Sequence, residues 1–535
     1  MAKMTEMKPE TSMSNATPPS STAALPKPKK TARTTMSSAD FPQFWRYAIG
    51  KDFADPSSGE PAQYVPGHPQ YRDSGETFKL TFDKSVSSMS LNADSTLLAL
   101  AVGSAVHVYH LSTRELVKVA RGHTNDVGAV AWSPTDPKLF VTSSSKPFHT
   151  PDDEDVPNEK SEILFWNLDD IAEAARDGVV GNIAQSVLDT ITSDILSYNS
   201  THTSPAGSWK LTEVETARLT KDLTKTLQHS LDLSSRTQES IHGILLKSFD
   251  SKPFSPDGKS AIFLPGERGQ SNGNHPWPLA VLDVASRTTK LTLEGHTDDI
   301  THASYNPAGT LIGTASWDGT FRIFSAVTGE TVYVLRSDTE DEETCQNWTA
   351  GYSPDGSMFA GTLGIGIFKV WNVESGVEIG NWVFAEKKGH AWCRTLSWSE
   401  DSRFLAVSGE ALCTIVVVEP KSGDSGEEIQ RRHLSLEACV GLDGENGILG
   451  GFLETTQIEY GRGKCANKLA YRMASDRGLE VYDYVRNLKW RFAARVDEEL
   501  KMLDNDGWGI FLWLEEEELI VSIDGKVVRF WSVSE

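Results

Sequence analysis

The clearest fold signal in the chain is GHTDDITHASYNPAGTLIGTASWDGTFRIFSAVTGETVYVLRSD, residues 295–338. It contains His296, Ser316 and Asp318, which are the residue types of a hydrolytic triad. A triad is recognised by geometry and by the role of each side chain, so the residues alone permit a catalytic or a structural interpretation. The stretch also alternates apolar and polar residues between turn signals, as β-strands do. Recurrence of this pattern elsewhere in the chain would favour the structural interpretation.

The alternating pattern recurs eight times along the chain. Each copy ends in a large apolar residue followed by a polar one, and these apolar positions are Tyr109, Trp166, Leu282, Phe324, Trp371, Val418, Tyr482 and Trp531. A second column, an aromatic residue or leucine followed by a turn, begins at Leu91, Trp132, Phe254, Tyr305, Tyr352, Trp398 and Trp513. The seventh unit has no clean turn, and GGFLETT from Gly450 is the nearest candidate. Strands repeated at a period of about 40–50 residues indicate the four-stranded blades of a propeller.

These units resemble the repeats of the WD-repeat β-propeller family. Residues 295–338 resemble a near-complete repeat, and GHTNDVGAVAWSP within 122–170 and GHAWCRTLSWSED at 389–401 resemble degenerate ones. The resemblance covers about residues 77–535 and implies an all-β propeller of eight, or seven, four-stranded blades. It also implies that FKLTF, residues 78–82, completes the last blade, because a closed ring leaves no sheet edge exposed.

The family offers a structural role for the triad-like residues. Its members hold a histidine, a hydroxyl residue, an aspartate and a tryptophan in a buried hydrogen-bonded network, which the resemblance places at His296, Ser316, Asp318 and Phe324. Phenylalanine has no indole N–H, so this network would lack one donor. A catalytic serine would be expected on an exposed elbow between glycines, whereas GTASWDG is a strand that enters a turn. We therefore predict a structural network and no catalytic residue.

Composition and motifs indicate no cofactor and no metal site. The five cysteines are scattered without a CxxC pair, and the chain has no Walker A, HExxH or strand-to-helix GxGxxG motif. It has no apolar run of 18 residues and no secretory signal, so no membrane association is expected. These features predict a cytoplasmic protein. A nuclear location would follow only if KPKKTAR, residues 27–33, acts as an import signal rather than as a solvated linker.

The chain divides into three expected regions. Residues 1–40 are rich in Ser, Thr and Pro, which predicts a disordered tail, and residues 41–76 should drape over the propeller as an extended segment. Residues 77–535 form the propeller, interrupted by a helical insertion at 169–239 between the second and third units. Apolar residues recur in this insertion at helical spacing: Ile183, Val187, Ile191 and Ile195, then Leu219, Leu223, Leu227 and Leu231. The insertion is either a hairpin packed on the blades or a docking arm for a partner helix.

The charge distribution suggests the chemistry of a partner. The net charge is −23, and because residues 1–40 carry six bases and three acids, the rest of the chain totals −26. By the family's geometry, acidic loops at 151–160, 337–343 and 496–506 share the top face of the ring and would attract basic segments, although solvated loops are an equally simple interpretation. The candidate partner contacts are Asp152, Asp153, Asp155, Asp341, Glu342 and Glu343.

The sequence thus predicts a non-catalytic protein-interaction scaffold that binds a basic segment on its top face and a helix on its insertion. One alternative is a propeller enzyme whose active site lies in the central channel, which would require converging carboxylates or a bound cofactor. A further alternative is a chromatin or nucleic-acid associated factor that uses KPKKTAR. Direct binding of nucleic acid is not expected, because the folded part is strongly acidic.

Overall fold

A computed structural model describes most of the 535-residue chain. The described residues are 34–35, 62–144, 161–171, 176–201, 210–234, 240–247, 250–266, 278–336, 346–363, 367–383, 393–409, 412–418, 433–437, 455–473, 478–493 and 510–534.

Within these ranges the strands form eight blades, numbered here in chain order, with strands given from the inner edge outward. Blade 1 contains Val86–Leu91, Leu97–Val102, Ala105–His110 and Leu116–Arg121, and blade 2 contains Val127–Trp132, Leu139–Ser144 and Glu162–Asn167. Blade 3 contains Ile241–Leu245, Ser260–Pro265, Leu279–Asp283 and Thr288–Leu293, and blade 4 contains Ile300–Tyr305, Leu311–Ser316, Thr320–Ser325 and Thr331–Arg336. Blade 5 contains Asn347–Tyr352, Met358–Leu363, Ile367–Asn372 and Glu378–Val383, and blade 6 contains Cys393–Trp398, Phe404–Gly409, Leu412–Val417 and His433–Glu437. Blade 7 contains Thr455–Tyr460, Lys468–Met473, Leu479–Asp483 and Leu488–Ala493, and blade 8 contains Phe511–Leu514, Leu519–Asp524, Val527–Ser532 and Phe78–Thr81.

Both sequence columns correspond to strands of these blades. The large apolar positions lie in the third strands, except that Val418 directly follows one, and the aromatic-plus-turn positions lie at or near the ends of inner strands. In the seventh unit the inner strand is Thr455–Tyr460, and its turn follows at Gly461 rather than in the predicted GGFLETT. Phe78–Thr81 pairs antiparallel with Val527–Ser532, which confirms the predicted closure of the last blade.

Neighbouring blades also touch through turns on the bottom face, the face that carries the turns between inner and second strands. Between blades 2 and 3 the Thr135 hydroxyl donates to the Asp257 carbonyl at 3.2 Å. Between blades 5 and 6 the Asp355 amide donates to the Ser402 hydroxyl at 3.1 Å. Arg114 of blade 1 donates to Glu517 of blade 8 at 2.7 Å, which closes the ring. The prediction of an all-β propeller is therefore confirmed, with eight blades among the described residues.

The apolar cores lie between adjacent blades. Blades 5 and 6, for example, enclose Trp382, Trp398 and Leu405, and Phe368 stacks on Trp382 with ring centroids 4.8 Å apart. Such packing follows from the alternation of the sequence, because each blade turns one set of side chains to each neighbour. The blades are therefore held together as consecutive pairs around the ring.

Blade 2 differs from the others in its outer edge. Its third strand pairs on the outside only at Glu162 and Ile163, with His242 and Ile241. Through this link blades 2 and 3 share one seven-stranded sheet. The chain between the two blades contains the helical insertion, which takes the place in sequence where an outer strand would come.

The N-terminal segment adds strands to outer blade edges. Gln63–Tyr64 and Gln70–Tyr71 pair in parallel with the outer strand of blade 7, and Thr34–Thr35 pair with that of blade 5. Within the expected extended segment, residues 62–76 therefore lie along blades 7 and 8. The remainder of the expected disordered tail falls outside the described residues.

The insertion contains two helices, α1 (Arg176–Thr201) and α2 (Glu213–Ser234), which pack on each other. A capping box begins α2: the Thr212 amide donates to the Glu215 carboxylate at 2.8 Å, and the Glu215 amide donates to the Thr212 hydroxyl at 3.2 Å. Neither described helix is long and apolar enough to cross a membrane. The helices predicted from spacing are therefore present between blades 2 and 3.

Candidate functional site

The triad-like residues of blade 4 lie in the interior of the blade. His296 is buried, its Nδ1 donates to Asp318 Oδ2 at 2.8 Å, and its Nε2 accepts from the Thr314 hydroxyl at 2.7 Å. The ring of Phe324 lies edge-on to the imidazole at 6.3 Å between centroids. Both ring nitrogens are thus satisfied inside the protein.

The electrostatics of this pair suit a structural role. Burial lowers the pKa of His296 despite the neighbouring carboxylate, so the imidazole stays neutral. Burial opposes the ionisation of Asp318, yet hydrogen bonds from His296, Thr320 and Thr297 together hold its pKa well below the usual range. A neutral histidine beside an ionised aspartate forms a stable charge-assisted hydrogen bond.

Ser316 lies apart from the imidazole. Its hydroxyl donates to the Asp298 carbonyl at 3.0 Å and accepts from the Asp318 amide at 3.1 Å, so it fastens the turn between the second and third strands. The hydroxyl that meets His296 comes from Thr314, which sequence reasoning did not select. Of the four residues placed in the network by resemblance, the structure brings together His296, Asp318 and Phe324.

Blade 2 carries a more complete network. The Trp166 indole donates to Thr142 Oγ1 at 2.7 Å, and the Thr142 hydroxyl donates to His123 Nε2 at 2.6 Å. His123 Nδ1 faces Ser144 Oγ at 3.0 Å and Glu162 Oε1 at 3.2 Å. Glu162, which follows the long loop, therefore occupies the acidic position that an aspartate in a tight turn occupies in blade 4.

Blade 8 replaces the histidine by arginines. The Trp531 indole donates to Ser522 Oγ at 3.0 Å, and the Asp524 carboxylate pairs with the guanidinium groups of Arg72, Arg472 and Arg529. Arg529 also pairs with Glu76 and Asp73 of the N-terminal segment. These contacts tie that segment to the last two blades and leave the arginines paired with carboxylates.

The inner strand of blade 3 departs from regular pairing. Leu245 faces Phe263, whereas Phe254, nine residues later, faces Ala261, only two residues away on the partner strand. The inner strand therefore contains seven extra residues, and we call the described ones, residues 246–247 and 250–252, the channel bulge. Because inner strands line the middle of a propeller, the bulge projects into the central channel.

Contacts of the channel bulge reach both sides of the ring. Lys247 Nζ donates to Met89 O at 2.6 Å, to Ser88 Oγ at 3.3 Å and to Val130 O, in blades 1 and 2. Asp250 Oδ2 accepts from the Thr349 hydroxyl at 3.3 Å in blade 5. It also accepts from the Leu396 amide at 3.2 Å in blade 6.

Burial shifts the acidities of the groups in the channel. It lowers the pKa of Lys247 to about 7, and it raises the pKa of Asp250 to about 6 and that of Glu459, on the inner strand of blade 7, to about 7. Titratable groups with shifted pKa values in a central channel are what an enzymatic site would require. However, three oxygen atoms accept from Lys247, one for each ammonium hydrogen, which favours an anchoring role over a nucleophilic one.

Helix α1 presents an apolar surface. Ala184 and Leu188 are buried, whereas Ile183, Val187 and Ile191 are 43%, 37% and 36% exposed. We call these last three residues the α1 stripe. The spacing predicted a helix, but most of the selected residues lie beside the packed face rather than within it.

The six acidic residues chosen as partner contacts, Asp152, Asp153, Asp155, Asp341, Glu342 and Glu343, lie outside the described residues. Within the described ranges, no group of three or more His, Cys, Asp or Glu side chains is arranged to hold a metal ion. Among the described cysteines, Cys465 is a buried free thiol whose pKa is raised by burial to about 11.

Comparison with known proteins gives two findings and one negative result. The family "WD domain, G-beta repeat" matches residues 114–146 and 287–325. A search among curated protein sequences found no match. Among solved structures, the β-propeller domain of Cps50 (Swd1) from Myceliophteria thermophila is similar with a TM-score of 0.44 and 10% identity, over 85% of this chain and 100% of that one.

Eight blades closed into a ring define the protein as a β-propeller. Two of its stretches match the WD-repeat family model, and the histidine–threonine–acid networks of blades 2 and 4 agree with the resemblance of its sequence to that family. WD-repeat propellers are in general non-enzymatic scaffolds that bind other proteins.

Proposed function

We propose that this protein is a non-catalytic interaction scaffold with two binding surfaces, the helical insertion and the acidic top face. The observation that carries the proposal is the α1 stripe. Three β-branched apolar residues, spaced by four along one helix, remain more than one third exposed, whereas Ala184 and Leu188 of the same helix are buried. Aligned apolar residues at this spacing are how a helix anchors to a groove or to a partner helix.

The helical insertion is better suited to docking than to decoration. The described part of α1 and α2 packs mainly on its own hairpin, with no comparable packing between a helix and a blade strand. From Asp177 to Thr201, α1 contains three acidic residues and no lysine or arginine. A partner helix that covers the α1 stripe with basic residues along its flanks would therefore gain apolar burial and charge complementarity.

The described residues that precede the acidic loops support the proposal that these loops lie on the top face. Ser144, which precedes the acidic loop of blade 2, contacts His123, and Arg336, which precedes that of blade 4, pairs with Thr320 beside His296. The two described residues at the starts of these loops therefore lie at the end of the ring where the Gly-His segments lie, which supports the proposed position of the acidic residues. Exposed acidic residues add to this end, with Asp126 and Glu294 in the described loops.

The test is quantitative capture of partners with matched variants of the full chain. Val187→Glu/Ile191→Glu alters the α1 stripe, and Ser186→Glu/Thr190→Glu adds the same charge to the exposed polar side of α1. A third variant changes Asp152, Asp153, Asp155, Asp341, Glu342 and Glu343 to their amides.

We expect the stripe variant to lose proteins that the polar-side variant retains. We expect the amide variant to lose partners whose capture by the wild type weakens with salt, because Coulombic attraction is screened. If all four proteins captured the same set at every salt concentration, both surfaces would be excluded as binding sites.

A further inference from the structure

We infer that the channel bulge is an internal tie that holds opposite sides of the ring together. Lys247 is hydrogen-bonded to blades 1 and 2, and Asp250 is hydrogen-bonded to blades 5 and 6. In a ring of eight blades these two pairs face each other across the centre. The tie is thus a contact between blades that are not neighbours, which the pairwise packing of blades cannot supply.

Chain geometry makes the tie short. Lys247 and Asp250 are three residues apart, so their Cα atoms are separated by at most about 10 Å. The lysine stem on one side and the aspartate on the other extend this reach to the two walls of the channel. Backbone bonds fix the end of the bulge, where the Lys252 amide donates to the Ala303 carbonyl at 3.2 Å and the Ala303 amide donates to Ser251 Oγ at 3.1 Å in blade 4.

The chemistry of the two anchors fits a tie. The ammonium group of Lys247 meets two backbone carbonyls and one hydroxyl, and charged donors make stronger hydrogen bonds than neutral ones. The carboxylate of Asp250 accepts from a backbone amide and from a hydroxyl. Each anchor makes hydrogen bonds to polar groups of inner strands, so removal of either anchor removes hydrogen bonds that are made inside the protein.

The tie has a consequence that distinguishes it from local packing. If Lys247 and Asp250 act through one short segment, loosening one anchor must also loosen the opposite wall. Loss of Lys247 should therefore speed amide exchange in Asn347–Tyr352 and Cys393–Trp398, although the described hydrogen bonds of the lysine side chain go to blades 1 and 2. Loss of Asp250 should correspondingly affect Val86–Leu91 and Val127–Trp132.

The experiment is hydrogen–deuterium exchange on the full chain carrying Lys247→Met, Asp250→Asn or Lys252→Met. The last variant is the matched control, because it makes the same change in the same bulge at a lysine side chain whose interactions with Asp250 and Glu459 are Coulombic and not hydrogen bonds to a channel wall. We expect exchange on the far wall to accelerate about tenfold in each anchor variant and less than about twofold in the control, as the loss of a buried hydrogen bond would produce.

Acceleration confined to blades 1 and 2 in Lys247→Met, and to blades 5 and 6 in Asp250→Asn, would overturn the inference. Equal effects in Lys252→Met would also overturn it, because they would indicate general softening of the bulge. If Lys247→Met does not fold, the milder Asp250→Asn still decides the question through its effect on Val86–Leu91.

Discussion

Blades 2 and 4 build the same internal network from different residues. Blade 2 has the indole donor of Trp166 and takes its acid from Glu162, beyond a long loop, whereas blade 4 has Asp318 in a tight turn but Phe324 in place of the indole. The blade with the better sequence motif therefore has the shorter chain of hydrogen bonds. Because each blade retains a buried histidine held by a threonine and an acid, that central contact is what the two blades have in common.

The free energy of local opening should differ most between blades 2 and 4 when the threonine of each network is replaced by valine. Valine has nearly the same shape as threonine but no hydroxyl. Thr142→Val in blade 2 leaves both the Trp166 indole and the His123 Nε2 without their partner, at a cost of about 3 kcal/mol. Thr314→Val in blade 4 removes the hydroxyl that His296 Nε2 and the Arg322 carbonyl share, but leaves no indole without its partner, and should cost about half as much. The free energy of local opening, measured by hydrogen exchange in each blade, checks this prediction, with the threonine-to-serine variants as controls.

Equal costs in the two blades would contradict the importance of the indole donor. Local opening is the appropriate quantity, because a chain of this size and repeated architecture need not unfold in a single two-state transition.

A smaller effect is expected from Trp166→Phe, which converts the blade 2 network into that of blade 4. The lost indole hydrogen bond should lower the free energy of local opening by about 1–2 kcal/mol beyond the effect of reduced size. In that background Thr142→Val should cost no more than Thr314→Val does in blade 4. A double-mutant cycle between Trp166 and Thr142 provides the measurement, and strict additivity would show that the two residues do not interact.

The smallest expected effect is that of Asp318 on the pH dependence of the stability of blade 4. Its pKa is depressed in the folded protein, so the ionised carboxylate contributes stability that is fully present above the ordinary aspartate pKa and is lost as the pH falls through the folded value. We expect Asp318→Asn to lower the stability of blade 4 at pH 7 by about 1 kcal/mol and to flatten its decline below about pH 4. The free energy of local opening of blade 4, measured by hydrogen exchange between pH 7 and pH 3 after correction for the intrinsic exchange rate, reports this, and a parallel decline in variant and wild type would contradict it.

The sequence predicted the blades well because alternation and turns are local signals. The choice of hydroxyl in blade 4 was not local, since Thr314 and Ser316 are two residues apart and point to the same side of one strand. The position of the Gly-His segment relative to that strand decides that Thr314, and not Ser316, forms the hydrogen bond with His296 Nε2. Glu162 was missed for a related reason, because the loop that precedes it removes the short spacing by which an acidic partner is recognised.

Two further features depended on tertiary packing. The sequence around Lys247, LLKSFDSKPF, alternates poorly, but this irregularity does not say where the inner strand continues. Only the pairing register reveals the seven extra residues. In α1 the apolar spacing predicted a helix, but only tertiary packing decides that Ala184 and Leu188 are buried and that Val187 is exposed. Both the side with Ala184 and Leu188 and the side with Val187 are apolar, so the sequence permits either side of α1 to be buried.

The histidine networks lie in the blade interiors and are not available to a partner. We therefore expect partners to bind at the surface, first of all at the α1 stripe. The most direct test places a photo-crosslinking amino acid at Val187 and, in a separate full-length protein, at Ser186 on the polar side of the same helix. The scaffold account predicts crosslinks to other proteins from position 187 and markedly fewer from position 186. Equal crosslinking from both positions, or no crosslink from position 187, would contradict it.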